Sequence, residues 1–347
     1  MGDGGIFAVR PNGTDFRIVK TFSSTTDGGN LFHGLSVADG GITGVARNGG
    51  QANAGTLLQV ATSGSNFSVL HHFSGGSSDG AYPYVGSAVV DNVLYGITYL
   101  GGANEACVLY SYDRSSGTYS VNHRFTSPGG KPFGSLTPVG DWLYGMVSDH
   151  RSLTDHGRIF RFRPGDNTYE DVHFFGGGPL GGYPYDALIW DGGSYLYGTT
   201  LGYYPFTGET TPLADQGVVF RLNIDSMLYE VIHDFSLSQT DGAKPNSGML
   251  IGGDGLLYGI AHGTEAGGGA GYEYGTLYRL QPDGSSFEVL HTFDSMENGI
   301  RPCDASPGST IRSTAPPRSE GRERTSAMAP CGVSKPCRSP TACGSAS

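Results

Sequence analysis

A fixed spacing between glycines and phenylalanines is the feature that most constrains the fold of this 347-residue chain. Six segments open with Gly, or once with Cys, and close with Phe, always 18 positions further on. The pairs are Gly4 and Phe22, Gly55 and Phe73, Cys107 and Phe125, Gly157 and Phe175, Gly217 and Phe235, and Gly275 and Phe293. Turn residues such as Pro282-Asp283-Gly284 lie between the two ends. Each segment is therefore predicted to be a β-hairpin whose register is set by its turn.

A second hairpin is predicted between successive copies, and it ends in Leu-Tyr-Gly. This string occurs at 94–96, 143–145, 196–198 and 257–259, with a degenerate Ile-Thr-Gly at 42–44. Each unit of about fifty residues then holds four strands, called a, b, c and d, which predicts an all-β fold. We expect a β-propeller of about six four-stranded blades. The chain begins at strand c, so the last blade is incomplete, with six c–d hairpins but only five a–b hairpins.

The stretch 303–347 departs from the repeat. It has no Phe, Tyr or Trp and is rich in Ser, Pro and Arg. We therefore divide the chain into a β-propeller repeat domain, 1–302, and a non-repeat tail, 303–347, which is expected to be disordered. The alternative is an out-of-frame tail. The codons allowed for Thr310 to Ser313, read one nucleotide later, permit the Leu-Tyr-Gly string that the repeat requires there.

Composition limits the partners and the cellular location. The formal net charge is −11, and no long basic run occurs before residue 303, so we expect no nucleic-acid partner. No apolar stretch is long enough to span a bilayer, and no signal peptide follows Met1. Only Cys107 lies within the repeats, where we expect it to be a buried residue on strand c rather than part of a disulfide framework.

The b–c and d–a loops share one face of the predicted propeller and vary in length, which is typical of a binding surface. They are rich in Tyr and carboxylates, and such residues pack on sugar rings and accept hydrogen bonds from hydroxyl groups. We predict a glycan or other surface polymer as partner, the alternative being that the tyrosines only pack the loops. The candidate ligand-binding residues are Tyr82, Tyr84, Tyr183, Tyr185, Tyr203, Tyr204, Glu209, Asp215, Glu265, Tyr272, Glu273 and Tyr274.

Two Asp-His pairs in one b–c loop are the candidates for catalysis, because an imidazole beside a carboxylate can act as a general base or a metal ligand. They are Asp149 with His150 and Asp155 with His156. No third ligand is evident, so solvated loop residues are the alternative, and no metal site or other cofactor is identified. Calcium is possible at the Asp-Gly-x-x-Pro strings at 79–83 and 241–245, although a turn role is expected there.

Five histidines recur two residues before the closing Phe of strand d. Because they occupy the same position of different blades, we expect them to pack between blades rather than to form one shared metal site. They are His71, His123, His173, His233 and His291.

The strings quoted above, together with Gly275-Thr-Leu-Tyr-Arg-Leu and Asp241-Gly-Ala-Lys-Pro245, resemble the bacterial GloVer tandem repeat over about residues 4–302. This resemblance implies export and display at the cell surface, and it brings no catalytic residues. By architecture alone the chain is more distantly similar to kelch-like propellers.

The leading hypothesis is a monomeric, non-enzymatic, extracellular binding module for a glycan or other cell-surface polymer. The alternative is a carbohydrate-active hydrolase or lyase, or a lactonase or esterase, on the same scaffold. A third possibility is a purely structural surface repeat without a saturable ligand.

Overall fold

A computed structural model describes most of the repeat region. The described residues are 4–31, 35–38, 40–103, 106–126, 131–148, 155–202, 216–235, 241–245, 247–263 and 275–293. Their regular elements are antiparallel β-strands, apart from one 3₁₀ turn at Gly178–Leu180. Within these ranges, no helix has the length and apolar character needed to cross a membrane. The predicted tail, 303–347, lies outside the described residues.

The strands group into one two-stranded sheet and five complete blades. The half-blade consists of β1 (Gly5–Ala8) and β2 (Arg17–Thr21). Blade 1 consists of β3 (Ser36–Ala38), β4 (Gly41–Ala46), β5 (Thr56–Ala61) and β6 (Ser68–His72). Blade 2 consists of β7 (Gly80–Pro83), β8 (Ala88–Val90), β9 (Val93–Gly101), β10 (Val108–Asp113) and β11 (Thr118–Arg124).

The remaining three blades repeat the same order. Blade 3 consists of β12 (Thr137–Val139), β13 (Trp142–Val147), β14 (Arg158–Arg163) and β15 (Thr168–Phe174). Blade 4 consists of β16 (Ile189–Trp190), β17 (Tyr195–Thr200), β18 (Val218–Asn223) and β19 (Tyr229–Asp234). Blade 5 consists of β20 (Leu250–Ile251), β21 (Leu257–Ala261), β22 (Thr276–Leu280) and β23 (Glu288–Thr292). The predicted pattern of six c–d hairpins and five a–b hairpins is confirmed.

The constant spacing of 18 residues has a direct structural cause. In every repeat the amide N–H of the closing Phe donates a hydrogen bond to the carbonyl of the opening residue, for example Phe73 to Gly55 at 3.0 Å. The other five pairs are Phe22–Gly4, Phe125–Cys107, Phe175–Gly157, Phe235–Gly217 and Phe293–Gly275. A β-bulge follows at one conserved place in strand c, such as between Leu57 and Leu58. One bond and one bulge thus set the c–d register in each copy.

The glycine of Leu-Tyr-Gly is required by the residue that faces it on strand c. Gly198 pairs directly with Phe220. A Cβ at Gly198 would lie 2.4 Å from the end of the Phe220 ring, closer than side chains approach in proteins. Gly96 and Tyr110 repeat this arrangement, with a distance of 2.4 Å. The large ring therefore fills the space above strand b and is itself fully buried.

The hydrophobic core lies between adjacent blades. Leu57 and Phe73 of blade 1, for instance, pack in one cluster with Leu94 and Tyr110 of blade 2. Equivalent clusters join the half-blade to blade 1, blade 2 to blade 3, blade 3 to blade 4 and blade 4 to blade 5. Cys107 is fully buried in one of them, as expected, and burial raises the pKa of its thiol to about 12.

The recurring histidines complete these contacts between blades. Four of the five rings stack on an aromatic residue of the next blade, at centroid distances of 3.7 to 3.9 Å. The stacked pairs are His71–Tyr119, His123–Tyr169, His173–Tyr229 and His233–Phe287. In the half-blade, Lys20 replaces the histidine and its Nζ lies 4.1 Å from the ring centroid of Phe67. The prediction that these histidines pack between blades is confirmed for these four, whereas His291 is exposed and contacts Phe293 of its own blade.

Candidate functional site

The d–a loops turn sharply just before a proline. Tyr183 has φ of 59° and Lys244 has φ of 55°, so both residues adopt the left-handed conformation. The N–H of Tyr183 donates to the carbonyl of His156 at 2.7 Å, and its carbonyl accepts from the N–H of Leu201 at 3.0 Å. Each such loop is therefore held between the end of strand b and the start of strand c. The residue after the proline is placed by this turn.

Four aromatic side chains from three blades meet on this loop face, and we call them the aromatic cluster. They are Tyr84, Tyr99, Phe133 and Tyr185. Phe133 stacks on Tyr185 with centroids 4.7 Å apart and meets Tyr84 edge-to-face at 5.6 Å. Tyr99 lies 6.3 Å from Tyr84. The rings are half-buried: part of each ring packs against its neighbours, and the rest is accessible to solvent.

Two cationic side chains border the aromatic cluster. The Nζ atom of Lys131 lies 3.5 Å from the ring centroid of Tyr99. The guanidinium of Arg47 lies 5.6 Å from the centroid of Tyr84 and 5.9 Å from that of Tyr99. Cations at these distances are attracted to the faces of aromatic rings. Two cationic side chains therefore lie beside the rings on a chain whose net charge is −11.

Below the cluster lies a cavity of about 620 Å³, formed where the first strands of blades 1 to 4 approach one another. Its walls are mostly apolar, with Val85, Leu136 and Leu188 among them. Phe133 belongs both to the wall of this cavity and to the aromatic cluster. Asp186 also lines the cavity, and its carboxylate accepts a hydrogen bond from the backbone N–H of Gly248 in the next blade. The cluster thus lies at the mouth of the central opening.

The hydroxyls of Tyr84 and Tyr185 are neutral near pH 7. Burial raises the pKa of Tyr84, and burial raises that of Tyr185 as well. The two hydroxyls are hydrogen-bonded to each other. A neutral phenol can donate and accept hydrogen bonds, which suits contact with sugar hydroxyls.

The structure separates the predicted ligand-binding residues into three groups. Tyr84 and Tyr185 lie in the aromatic cluster. Tyr82 is half-buried and packs on the core between blades 1 and 2, whereas Tyr183 is fully buried against His156. The remaining candidates lie outside the described residues: Tyr203, Tyr204, Glu209, Asp215, Glu265, Tyr272, Glu273 and Tyr274.

Of the two Asp-His pairs predicted as candidates for catalysis, the structure describes Asp155 with His156. Asp149 and His150 lie outside the described residues. Asp155 accepts a hydrogen bond from the backbone N–H of Gly157 at 3.0 Å and so orders the start of strand c. His156 contacts Tyr183 edge-to-face at 5.4 Å. Within the described ranges, no three His, Cys, Asp or Glu side chains come together as a metal site requires.

The Asp-Gly-x-x-Pro strings serve as turns in the described structure. Asp79 accepts hydrogen bonds from the side chain of His71 at 3.1 Å and from the backbone N–H groups of Ser74 at 2.8 Å and Gly80 at 2.7 Å. Burial by itself would raise the pKa of Asp79, but the hydrogen bonds outweigh burial and lower it to about 2. Asp241 repeats the contact, with His233 at 2.7 Å.

Sequence reasoning did not identify Arg47, Tyr99 or Phe133 as members of the site. Arg47 and Tyr99 each follow the glycine of the Leu-Tyr-Gly position by three residues; Arg47 directly follows β4, and Tyr99 lies within β9. Phe133 follows the proline of its d–a loop, like Tyr84 and Tyr185. An alignment of the repeats on these two positions would have found Arg47, Tyr84, Tyr99, Phe133 and Tyr185. Equivalent positions of neighbouring blades lie at the mouth of the same central opening.

The sequence profile of the Gloeobacter/Verrucomicrobia repeat matches residues 1–211 and 148–310. The chain belongs to this repeat family. The GloVer repeat therefore extends over all six c–d hairpins and all five a–b hairpins. A comparison with curated proteins finds no significant match.

Solved structures similar to this GloVer repeat protein are propellers with low sequence identity. A candidate 6-phosphogluconolactonase from Bacteroides uniformis has a TM-score of 0.53 at 14% identity, covering 85% of this chain and 79% of that one. A chain of the nidogen/laminin complex has a TM-score of 0.51 at 11% identity, covering 87% and 94%. TolB from Acinetobacter baumannii has a TM-score of 0.44 at 15% identity, covering 84% of this chain and 59% of TolB. The two similarities with TM-scores above 0.5 establish the propeller fold.

Proposed function

We propose that this GloVer repeat protein is an extracellular, monomeric binding module for a glycan or other cell-surface polymer. The observation that carries the proposal is the convergence of Tyr84, Tyr99, Phe133 and Tyr185 at the mouth of the central opening. Half-buried rings present apolar faces on which sugar rings stack, and their hydroxyls can hydrogen-bond to sugar hydroxyls. The backbone positions the cluster, since Tyr84, Phe133 and Tyr185 each follow the proline of a d–a loop and Tyr99 lies in β9.

The charge around the cluster favours polymers that carry acidic groups. Lys131 and Arg47 are the cations nearest to the rings, at 3.5 and 5.6 Å from the centroids. Hydrogen bonds from cationic side chains to carboxylates are stronger than those between neutral groups. We therefore expect polymers of uronic acids to bind more tightly than neutral polymers of similar length, and we expect this preference to weaken as salt is added.

The proposal is tested by measuring the affinity of the full chain for a panel of neutral and acidic polysaccharides. The double variant Tyr84→Ala/Tyr185→Ala is expected to weaken binding by about tenfold or more. An aromatic ring that is desolvated by a bound sugar contributes about 1–3 kcal/mol to the binding free energy. Trp142→Ala is the matched control. Trp142 is a half-buried aromatic residue that begins β13 beside the opposite, a–b turn face, beneath Arg161.

Two results would contradict the proposal. Equal affinities of the double variant and the control would exclude the aromatic cluster as the site. Absence of saturable binding by folded protein would leave a structural surface repeat.

The enzyme hypothesis is tested in the same samples by scoring new reducing ends and unsaturated products. If turnover occurs, Asp155→Asn and His156→Gln are the described variants to compare. Loss of turnover with binding retained would support a hydrolase or lyase, whereas unchanged turnover would remove this pair from consideration.

A further inference from the structure

Strand a of every complete blade carries an apolar side chain at one repeated position. This position pairs with the first residue of the Leu-Tyr-Gly string on strand b. We call these five residues the apolar collar: Val37, Val89, Pro138, Trp190 and Ile251. All but Ile251 line the cavity beneath the aromatic cluster. Trp190 and Ile251 stay 39% and 38% exposed although the blade before each is complete, and repeated apolar exposure of this kind marks an interaction site.

Hydrogen bonds within the protein engage most of the hydroxyl groups in the cavity wall. The Oγ of Ser36 donates to the carbonyl of Ser87 in the next blade at 2.5 Å. Thr137 repeats this contact with the carbonyl of Leu188 at 2.6 Å. The hydroxyl of Ser87 lies 3.2 Å from that of Tyr110, so three of the four hydroxyl side chains in the wall are engaged. A sugar or peptide inside the opening would lose hydrogen bonds to water and regain few.

The polar end of the cavity lies at the aromatic cluster. Asp186 follows Tyr185 of the cluster and lines the cavity. Its carboxylate accepts hydrogen bonds from the backbone N–H groups of Ala187, at 2.6 Å, and Gly248. Phe133 belongs both to the cluster and to the wall. The surface therefore changes without interruption from aromatic and polar at the mouth to apolar inside, which matches a ligand with a polar head and a hydrocarbon chain.

We propose that the central opening binds the alkyl or acyl chain of an amphipathic glycan whose sugar lies on the aromatic cluster. The inference rests on the proposed function, because a sugar bound at the cluster places an attached chain at the mouth of the opening. The cavity volume of about 620 Å³ lies within the range of about 300–1,000 Å³ that is usual for small-ligand pockets. Contact between the chain and the apolar collar removes apolar surface of both from water.

Two glycosides that differ only in the chain test the proposal. The probes are octyl β-D-glucuronide and methyl β-D-glucuronide, titrated calorimetrically into the full chain below the concentration at which the octyl compound forms micelles. We expect the octyl compound to bind at least about tenfold more tightly, because each buried methylene group adds to the binding free energy. Its heat capacity change on binding should also be more negative, which is the marker of apolar burial.

Two protein variants locate the chain. Val37→Asp and Trp190→Asp each place a charge in the apolar collar, on blades 1 and 4, and should lower the affinity for the octyl compound to that for the methyl compound. Neither should change the affinity for methyl β-D-glucuronide. Ile18→Asp is the matched control, since Ile18 is 59% exposed, against 67% for Val37, but lies on the outer strand β2. It should bind both compounds like the unmodified chain.

Two results would overturn the proposal. Equal affinities of the unmodified chain for the two glucuronides would exclude the chain-binding site and leave the proposed glycan site standing. Tighter binding of the octyl compound by all three variants alike would place the chain elsewhere on the protein.

Octan-1-ol, which has the chain but no sugar, separates this proposal from the proposed function. Saturable binding of octan-1-ol that Val37→Asp abolishes would support the chain site. If methyl β-D-glucuronide and the polysaccharides then failed to bind, the glycan site at the aromatic cluster would be wrong while the opening would still hold a hydrocarbon chain.

Discussion

At the scale of single residues, the repeat uses the same side chain for different contacts. His71 and His233 stack on the next blade and also hydrogen-bond to an aspartate of the adjoining turn, at 3.1 and 2.7 Å. His173 has the stack, but its buried Nε2 atom has no hydrogen-bond partner. Stacking is thus the shared function of the position, and the hydrogen bond is an addition in blades whose turn begins with Asp.

Asp79→Asn is expected to destabilise the fold at pH 7 by about 1–3 kcal/mol, because it weakens a set of hydrogen bonds to a buried carboxylate. The pKa of Asp79 is about 2 in the folded chain, against 3.8 as its ordinary value. A lowered pKa stabilises the folded state above pH 3.8, and this stabilisation disappears as the pH falls towards 2. The difference between the variant and the unmodified chain should therefore shrink over that range in urea titrations.

Asp91→Asn is the control for this measurement, since Asp91 is exposed in the turn between β8 and β9. It should leave the free energy of unfolding within about 0.5 kcal/mol. A loss of stability for Asp79→Asn that is the same at pH 2 and pH 7 would show that ionisation of Asp79 is not involved.

His173 is expected to make the fold sensitive to acid. Burial lowers the pKa of His173 below its ordinary 6.5, so the unfolded chain takes up this proton at a higher pH than the folded chain. The contribution to stability is then complete above pH 6.5 and decreases as the pH falls below it. His173→Phe keeps the ring stack on Tyr229 and should remove this part of the pH dependence. His173→Ala should destabilise at every pH, because it also removes the stack.

Thermal unfolding at pH 5 and pH 8 measures both effects for His173. An unchanged pH dependence in His173→Phe would assign the acid sensitivity to other groups, such as His123, whose pKa is also lowered by burial.

At the scale of elements, the c–d hairpins could be predicted almost completely from the sequence, whereas the site could not. The hairpins depend on local constraints: one hydrogen bond between residues 18 apart, a turn and a bulge. The aromatic cluster depends on how three blades are arranged around an opening, and spacing along the chain does not encode that arrangement directly. Tyr84 and Tyr185 were predicted because tyrosines stand out in the loops, while Tyr99 was missed because it lies within a strand.

The Leu-Tyr-Gly glycine is the element-scale feature that is most sensitive to substitution. A Cβ at Gly198 would lie 2.4 Å from the Phe220 ring and 2.9 Å from the side chain of Leu188. Gly198→Ala should therefore lower the free energy of unfolding by about 1–3 kcal/mol, since the buried rings must move to admit the methyl group. Denaturant titration measures this loss.

Gly165→Ala is the matched control, because a Cβ at Gly165 would have no heavy atom within 4 Å. It should change the stability by no more than about 0.5 kcal/mol. Similar losses for both variants would mean that the general effect of replacing glycine, and not the ring opposite Gly198, decides the result.

At the scale of the whole molecule, the hydrophobic interfaces between the described blades follow one another in series. Hydrophobic clusters join each blade to the next from the half-blade to blade 5, and no described cluster joins blade 5 to the half-blade. A repeat array is stabilised by its neighbouring interfaces, so a blade with two interfaces is more stable than one with a single interface. The exposed Phe7, Phe16 and His291 mark the two ends of the series.

Hydrogen exchange of the backbone amides should therefore follow position in the series. We expect amides of β9, β10, β13 and β14 in blades 2 and 3 to exchange about tenfold or more slowly than those of β2 and β23, because opening at an end breaks only one interface. Mass spectrometry of peptic fragments measures this gradient. Equal protection in all blades would mean that the ends are joined in solution.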